Sequence, residues 1–356
     1  MPTTDYLIND VALYLSKEKE ATFNTASSTG SDYLKVATNN PAYILPNYEI
    51  TTDAGKPGNG HEFPTYQCIA YVTHPAISIT DQMNPFIGGR LALRALGGTI
   101  TSTVASGIAY KHTNKLLPVA SGRQLPGTSA TMLLGGASFK FAGMVVDRFR
   151  LSQTGAEVPQ YQADLVGTGK FTSPHALTGL PASTTDLTCL DGNQSVVTWT
   201  SSDGAETLTN TANFNLRSWF VELANNTKLN DRQAGDSELS LTYQGVTETP
   251  AYVSRLRRGS RVITAAVQIA LDATLAEWER YTVGEELTDV TFKAQGAVIA
   301  GGVRYSIVFI IPSARIASVE TGTDDDIATL TLNLQAFWDT DTAITCEVYN
   351  TDTTAS

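Results

Sequence analysis

Phe139-Lys140-Phe141-Ala142-Gly143-Met144-Val145-Val146 runs to a turn at Thr154-Gly155 and on into Tyr161-Gln162-Ala163-Asp164-Leu165-Val166. Later, Tyr305-Ser306-Ile307-Val308-Phe309-Ile310-Ile311 runs to a turn at Thr321-Gly322 and into Leu330-Thr331-Leu332-Asn333-Leu334. The two turn glycines are 322 − 155 = 167 positions apart, and Leu165 and Leu332 keep that spacing. Both stretches are β-branched or aromatic runs broken at a Gly turn, which predicts antiparallel hairpins. Upstream of each, the pattern gives a strand, a short helix and another strand. A unit built twice in one chain is the mark of proteins that tile into rings or arrays.

Outward from these hairpins the chain divides into an N-terminal arm (1–40), a first unit (41–171), a joining region (172–210) and a second unit (211–356). In the arm, Val11 to Leu15 reads as a strand, Lys17-Glu18-Lys19-Glu20 as a solvated charge run and Asn24 to Asp32 as a flexible stretch. In a tiling protein such an arm is expected to dock on a neighbour. The first unit holds a long loop (51–64) and a helix over Phe86 to Leu96. Asp81 or Asn84 can cap that helix, and Gly97-Gly98 ends it. Thr99 to Val104 reads as a strand, and 105–137 as a polar, Gly-rich insertion. Ser195 to Thr200 and Glu206 to Thr209 flank a tight turn in the joining region. The second unit repeats the order: strand Phe214 to Leu223, a long loop to Gly259, and strand Val262 to Leu271. A helix follows, capped by Asp272, with Leu275 and Trp278 on one face and Gly284 at its end. Leu287 to Ala294, Tyr305 to Ile311, Ile327 to Phe337 and Thr342 to Tyr349 complete the set. Each unit thus holds one helix and about six strands. The expected fold is mainly β: two tandem β-sandwich or open-barrel units, each with one short flanking α-helix.

Composition narrows the function classes. The chain has 24 basic and 35 acidic residues, a net charge of −11, which argues against gripping nucleic acid through its phosphates. It leaves room for a surface past which nucleic acid slides without sticking. The three cysteines, Cys68, Cys189 and Cys346, are far apart and lack metal spacing, and Cys68 and Cys346, in strand-like runs, are expected to be reduced and half-buried. Met1-Pro2-Thr3-Thr4-Asp5 lacks the basic start and apolar core of a signal peptide, and no run approaches the length of a membrane helix. A protein made and kept in a reducing cytoplasm, with no membrane anchor, is the expectation.

Residues with chemical potential do not converge. The four histidines, His61, His74, His112 and His175, sit apart beside Pro, Gly or Lys or in polar stretches and read as surface or loop residues. Asp324-Asp325-Asp326 follows the second turn but lacks the alternating ligands of a hard-cation loop, and no Ser stands in a Gly-x-Ser-x-Gly elbow. Neither a catalytic set nor a cofactor or metal site is expected. Arg255, Arg257, Arg258 and Arg261 form the densest basic cluster, and 255, 257 and 261 share a face if the segment is a regular strand. Either a solvated edge or a contact with an acidic patch on a neighbouring subunit fits them.

The hairpin Phe141-Ala142-Gly143-Met144-Val145-Val146-Asp147-Arg148-Phe149 through Tyr161-Gln162-Ala163-Asp164-Leu165-Val166-Gly167, with the strand–helix–strand element around Phe86 to Leu96, resembles that of tail tube proteins of long-tailed, non-contractile bacteriophages. The likeness covers most of residues 40–350 and is one of pattern. It implies β-sandwich subunits whose inner strands form one continuous barrel around a channel, in rings that stack through a long loop and terminal arms. Double-stranded DNA passes through without specific binding. The usual ring is hexameric with one tube domain per chain; two domains per chain imply homotrimeric rings. The resemblance also implies as partners a tape measure protein, a tail terminator and distal tail proteins, and a place in the virion tail. It makes the loops 51–64 and 225–259 candidates for ring stacking and the hairpins 139–167 and 305–337 candidates for the channel wall. Asp147, Asp164, Asp324, Asp325 and Asp326 are its candidate lumen residues, and Arg255, Arg257, Arg258 and Arg261 its candidate inter-subunit residues.

Two other readings stay open. A distal tail or tail-terminator protein of the same fold makes one ring and does not polymerise. A carbohydrate-binding or adhesin β-sandwich requires an exposed aromatic platform, whereas Trp199, Trp219, Trp278 and Trp338 sit in strand or helix patterns that read mostly as core.

Overall fold

The chain is mainly β, and its halves are joined strand to strand. The computed structural model describes residues 11–26, 29–36, 48–52, 67–118, 124–134, 137–172, 190–202, 204–209, 216–229, 241–243, 246–248, 251–271, 276–324 and 326–355. Of the expected loop 51–64, residues 53–64 lie outside them, as do Asp272, Leu275, Asp325, Cys189, His61 and His175, while Thr51 and Thr52 belong to a strand.

The first half runs β1 (Val11–Ser16), β2 (Tyr33–Lys35), β3 (Tyr48–Thr52), β4 (Gln67–Val72), β5 (Ala76–Gln82), α1 (Ile87–Leu96), β6 (Thr101–Ser106), β7 (Ala109–Lys115), β8 (Thr128–Leu134), β9 (Ala137–Thr154), β10 (Gln160–Val166) and β11 (Phe171–Thr172). The second runs β12 (Asp191–Ser201), β13 (Gly204–Thr209), β14 (Leu216–Ala224), β15 (Leu241–Tyr243), β16 (Val246–Glu248), β17 (Val262–Ala270), α2 (Ala276–Val283), β18 (Glu286–Ala300), β19 (Val303–Asp324), β20 (Ile327–Phe337) and β21 (Thr345–Asn350).

The same antiparallel pairing order occurs twice. In the first half it is β2–β1–β8–β9, with β11 on the other edge of the start of β9 and β10–β5 beyond its end. In the second it is β13–β12–β18–β19, with β21 on the other edge of the start of β19 and β20–β17 beyond its end. A helix follows β5 and β17 alike, and small two-stranded ribbons, β3–β4 and β15–β16, precede them. Each long strand therefore serves two sheet layers. Its first half belongs to one and its second half to the other, which is how an 18- or 22-residue strand finds partners along its whole length.

β14 joins the halves. It pairs with β9 from Ser218↔Thr154 to Ala224↔Arg148 and with β17 on its other side. The result is one run of seven strands, β5–β10–β9–β14–β17–β20–β19. One face of this run is apolar. Ile77, Ile79, Tyr161, Phe149, Leu151, Trp219, Val221, Val267, Leu332 and Leu334 are buried on it. Aromatic contacts lock it to the second layer: Trp219 meets Phe292 of β18 at 5.8 Å, and Phe149 meets Phe309 at 6.1 Å. The alternation of buried and open residues along β10 and β14 follows from the period of two in a strand with one wet face.

α1 begins one residue after the expected start. Asn84 Oδ1 accepts the Ile87 N–H at 2.8 Å, so Asn84 is the cap of the expected pair. The Gly88-Gly89 pair, which weakens a helix in isolation, has a packing cause. A Cβ on Gly89 would stand 2.7 Å from Val348 Cγ1, so the helix sits closer to β21 than any other residue permits.

Several expectations need correction. Thr321-Gly322 is not the second turn: β19 runs through both, paired with Leu330 and Thr329, and the hairpin closes only after Asp324, because the ladder continues to Asp324↔Ile327. β1 pairs with β2 and β8, so these two strands of the expected arm belong to this chain's own sheet. Glu20, expected in a solvated run, turns inward and accepts hydrogen bonds from Gly143 N (2.8 Å), Asn24 N (2.8 Å) and Ser129 Oγ (2.9 Å). Asn24, taken as flexible, is buried. The 105–137 insertion holds β7, β8 and the end of β6, and β7 extends the second half's sheet by pairing with β21. On α2, Glu277 and Arg280 are buried while Trp278 is 43% exposed, because the ion pair between those two faces inward with Glu285 and Glu206 close by. Trp338 is also exposed, at 48%, so only Trp199 and Trp219 belong to the core. Cys346 is fully buried rather than half-buried, and burial pushes its thiol pKa up.

Candidate functional site

Two regions concentrate polar groups. The first is the open face of the seven-stranded run. Cross-strand partners share a face, so the registers define rows across it. One row is Thr80, Gln162, Arg150, Glu222, Thr264, Gln335 and Arg315. Another is Gln82, Gln160, Ser152, Phe220, Ala266, Asn333 and Ser318. The surface is mostly Ser, Thr, Gln and Asn. Of the acidic candidates Asp164 stands on it, where it accepts the Ser78 hydroxyl at 2.6 Å, and Glu222 and Glu320 stand on it further along the run. Arg148, Arg150 and Arg315 stand on it as well. With Asp324, which keeps the alternation of Glu320, acidic and basic side chains are close in number on this face.

Glu222 organises the middle of this face. It pairs with Arg148 Nη2 at 2.7 Å and with Arg150 Nη1 at 3.7 Å. Its hydrogen bond raises the Arg148 pKa, so that cation is held charged and neutralised. Arg150 also lies over the Phe220 ring, 4.2 Å from its centroid. Sequence reading missed Glu222 because its arginine partners lie more than seventy residues upstream.

The other acidic candidates have different surroundings. Asp147 sits where β9 skips a residue in its register against β10, and its carboxylate accepts the Thr227 N–H at 2.6 Å. It anchors the segment after β14. Asp324 lies at the end of β19, 4.0 Å from Arg217, and Asp326 is exposed at the β19–β20 turn with φ 64°.

The second region is basic. Residues 251–261 form no regular strand, only isolated bridges, so the shared face expected for Arg255, Arg257 and Arg261 does not exist. The structure nevertheless brings all four arginines to two adjoining clefts. The larger, about 1230 Å³, is lined by Lys228, Arg257, Arg258, Arg261, Trp338 and the end of β20. The smaller, about 410 Å³, takes Arg255 and Arg257 beside Phe23 and Gln124. Arg258 is buried and donates to the carbonyls of Leu117 (3.4 Å) and Pro118 (3.0 Å). Arg261 has Nε and Nη1 enclosed without a hydrogen-bond partner. Burial, and then repulsion from Arg258, bring its pKa down to about 9, so it is still charged at neutral pH.

His112, expected at the surface or in a loop, is fully buried. Its Nδ1 lies 2.8 Å from Ser102 Oγ and its Nε2 2.9 Å from Asn350 Oδ1. Hydroxyl, imidazole and amide in line suggest a nucleophile relay, but Ser102 lies on the open, flat surface of β6, so the trio reads as a cross-strand ladder. His74 Nδ1 contacts the Gly167 carbonyl at 2.9 Å. Among the described residues no three His, Cys, Asp or Glu side chains cluster as metal ligands. No described helix is long and apolar enough to cross a membrane.

The chain matches no family model, and none of the curated proteins compared with it is similar to it.

Proposed function

We propose that this chain is the tail tube subunit of a long-tailed, non-contractile phage, located in the virion tail, where rings of three copies stack into a channel for DNA. The observation that carries this reading is the doubled pairing order with its internal junction. β14 already splices one half to the other in a head-to-tail manner. At the two ends of the seven-stranded run, the outer edge of β5 from Ala76 to Asp81 and that of β19 from Ile316 to Asp324 border no described strand. Edges of this kind invite pairing with another copy. A head-to-tail contact either closes into a ring or runs on as a filament.

The arithmetic of closure supports a wide channel. Three copies contribute 3 × 7 = 21 strands from the run described above. At ~4.8 Å between strands and a tilt near 40°, such a barrel is about 40 Å across at the backbone. With the apolar face turned to the second layer, the Ser, Thr, Gln and Asn face lines the lumen. DNA adheres to proteins through unpaired cations and aromatic platforms. Here Glu222 pairs with Arg148 and Arg150, Asp164 adds a second negative charge beside Arg148, and Arg150 covers Phe220. By this reading the lumen is slippery because its charges are paired, rather than because it is acidic.

Electron microscopy of the purified protein, with mass measurement in solution, tests this. Hollow tubes, or rings of three copies, are expected. Single rings that never lengthen, even with tail tips present, point instead to a distal tail or terminator role. The exposed Trp278 and Trp338 favour a second reading as a binding module. Monomers that stay out of tubes seeded with tail tips and bind a glycan array would replace the tube proposal with it.

A further inference from the structure

The β19–β20 hairpin carries opposite charge at its two ends. At its base, Gln335 and Trp338 border the large cleft with Lys228, Arg257, Arg258 and Arg261, and among the described residues no Asp or Glu lines it. At its tip stand Glu320, Asp324 and Asp326, with Glu320 and Asp326 exposed. Base and tip are separated by the paired stretch from Ser313↔Phe337 to Asp324↔Ile327, about 33 Å at ~3.3 Å per residue. Enclosed guanidinium nitrogens without partners are costly unless an anion lies near, and part-buried Arg261 has two of them, Nε and Nη1. The cleft is open and large enough to admit a turn rather than a lone ion.

We propose that the basic cleft receives the acidic tip of the β19–β20 hairpin of a second copy, with Asp324 and Asp326 meeting Arg261 and Lys228. This rests on the reading that copies of the chain assemble, and it adds a contact along the strand direction, distinct from edge pairing within a ring. Because cleft and tip lie at opposite ends of one hairpin, each copy offers a socket at one end and a plug at the other. Such a contact does not close on itself and builds length. In the free subunit Asp324 leans toward Arg217 at 4.0 Å, a separation long enough to be exchanged for a closer pair.

Carbodiimide cross-linking of an equal mixture of isotopically heavy and light full-length protein, read by mass spectrometry, tests the contact directly. A heavy–light link between Lys228 and Glu320, Asp324 or Asp326 is expected. Only same-copy links to Lys228, or none, would overturn the proposal, whatever the micrographs show. Cleft protection by inorganic phosphate alone, with no inter-copy link, would also overturn it in favour of a small-anion site. In assembly assays Arg261→Glu is expected to leave rings but cut tube length at least tenfold, and Arg261→Glu with Asp326→Arg to restore it. Loss of rings in the wild type would count against edge pairing, whereas rings with unaltered stacking in Arg261→Glu would count against the cleft.

Discussion

Replacing Gly143 by Ala tests how β9 is held where it passes from one layer to the other. Gly143 has φ 66°, and a Cβ there would collide with Asn24 Oδ1 and come within 2.9 Å of Thr168 Oγ1. Left-handed backbone at a residue with a Cβ costs about 1–2 kcal/mol. Asn24 must then leave its place, which removes the bond from Thr168 Oγ1 (2.7 Å) and the bond to the Ser254 carbonyl (3.1 Å). Each is worth about 1 kcal/mol. The unfolded chain loses entropy with Ala, which returns about 0.4–1 kcal/mol. The net expectation is a destabilisation of about 3 kcal/mol. Gly155→Ala is the control: φ is 54° but no atom lies within 4 Å of the added carbon, so the cost falls to about 1 kcal/mol or less. Urea unfolding followed by tryptophan fluorescence measures both. Equal losses at the two sites, or a loss at 143 below about 1 kcal/mol, would refute the idea that the 17–25 segment clamps the β9 crossover.

Glu222→Gln leaves Arg148 and Arg150 without their counter-charge, so assembled protein should retain duplex DNA at low salt and release it as salt rises; retention equal to wild type would contradict the paired-charge account of the open face. Phe149→Ala, at a fully buried ring stacked on Tyr161 and packed on Phe309, should cost about 3–5 kcal/mol in chemical denaturation. Burial lowers the His112 pKa below its ordinary 6.5, so below that pH the unfolded chain binds the proton first and stability falls as pH drops from about 6.5 toward the folded pKa. His112→Gln should flatten that part of the stability–pH curve, and an unchanged slope would show that His112 titrates in the open. In a background lacking Cys68 and Cys189, the Cys346 thiol should stay unreactive to a thiol reagent until the protein unfolds.

Much of the local structure was legible. Alternation and β-branched runs marked β9, β10, β12, β13 and β20, and Asn84 with the glycines after Leu96 bounded α1, because these signals are carried by neighbouring residues. The arginines at 255–261 were visible as a cluster, and the structure makes them line clefts. What they face was not visible, since it depends on how β20 ends beside them. Amphipathic spacing misread α2: Trp278 matched the apolar stripe, yet the buried face is held by the Glu277–Arg280 pair, whose further partners come from β13 and the loop before β18. Glu20 resembled a solvated charge only because its three donors are supplied by Asn24, Ser129 and Gly143, two of them more than a hundred residues away.

By itself, the sequence determined that the chain is mainly β, that a hairpin of long strands recurs in the second half, and that no string of neighbouring residues spells out a catalytic or metal motif; it placed the second turn at Thr321-Gly322, inside what is β19. Tertiary structure decided the rest: that β14 splices the halves into one sheet, that Glu222 bridges two arginines on its open face, and that Arg261 has two enclosed nitrogens without a hydrogen-bond partner. The physical reason is that β pairing joins residues distant in the chain. Period and turn chemistry fix where a strand lies and which way its side chains alternate, but only the register against another strand sets who meets whom.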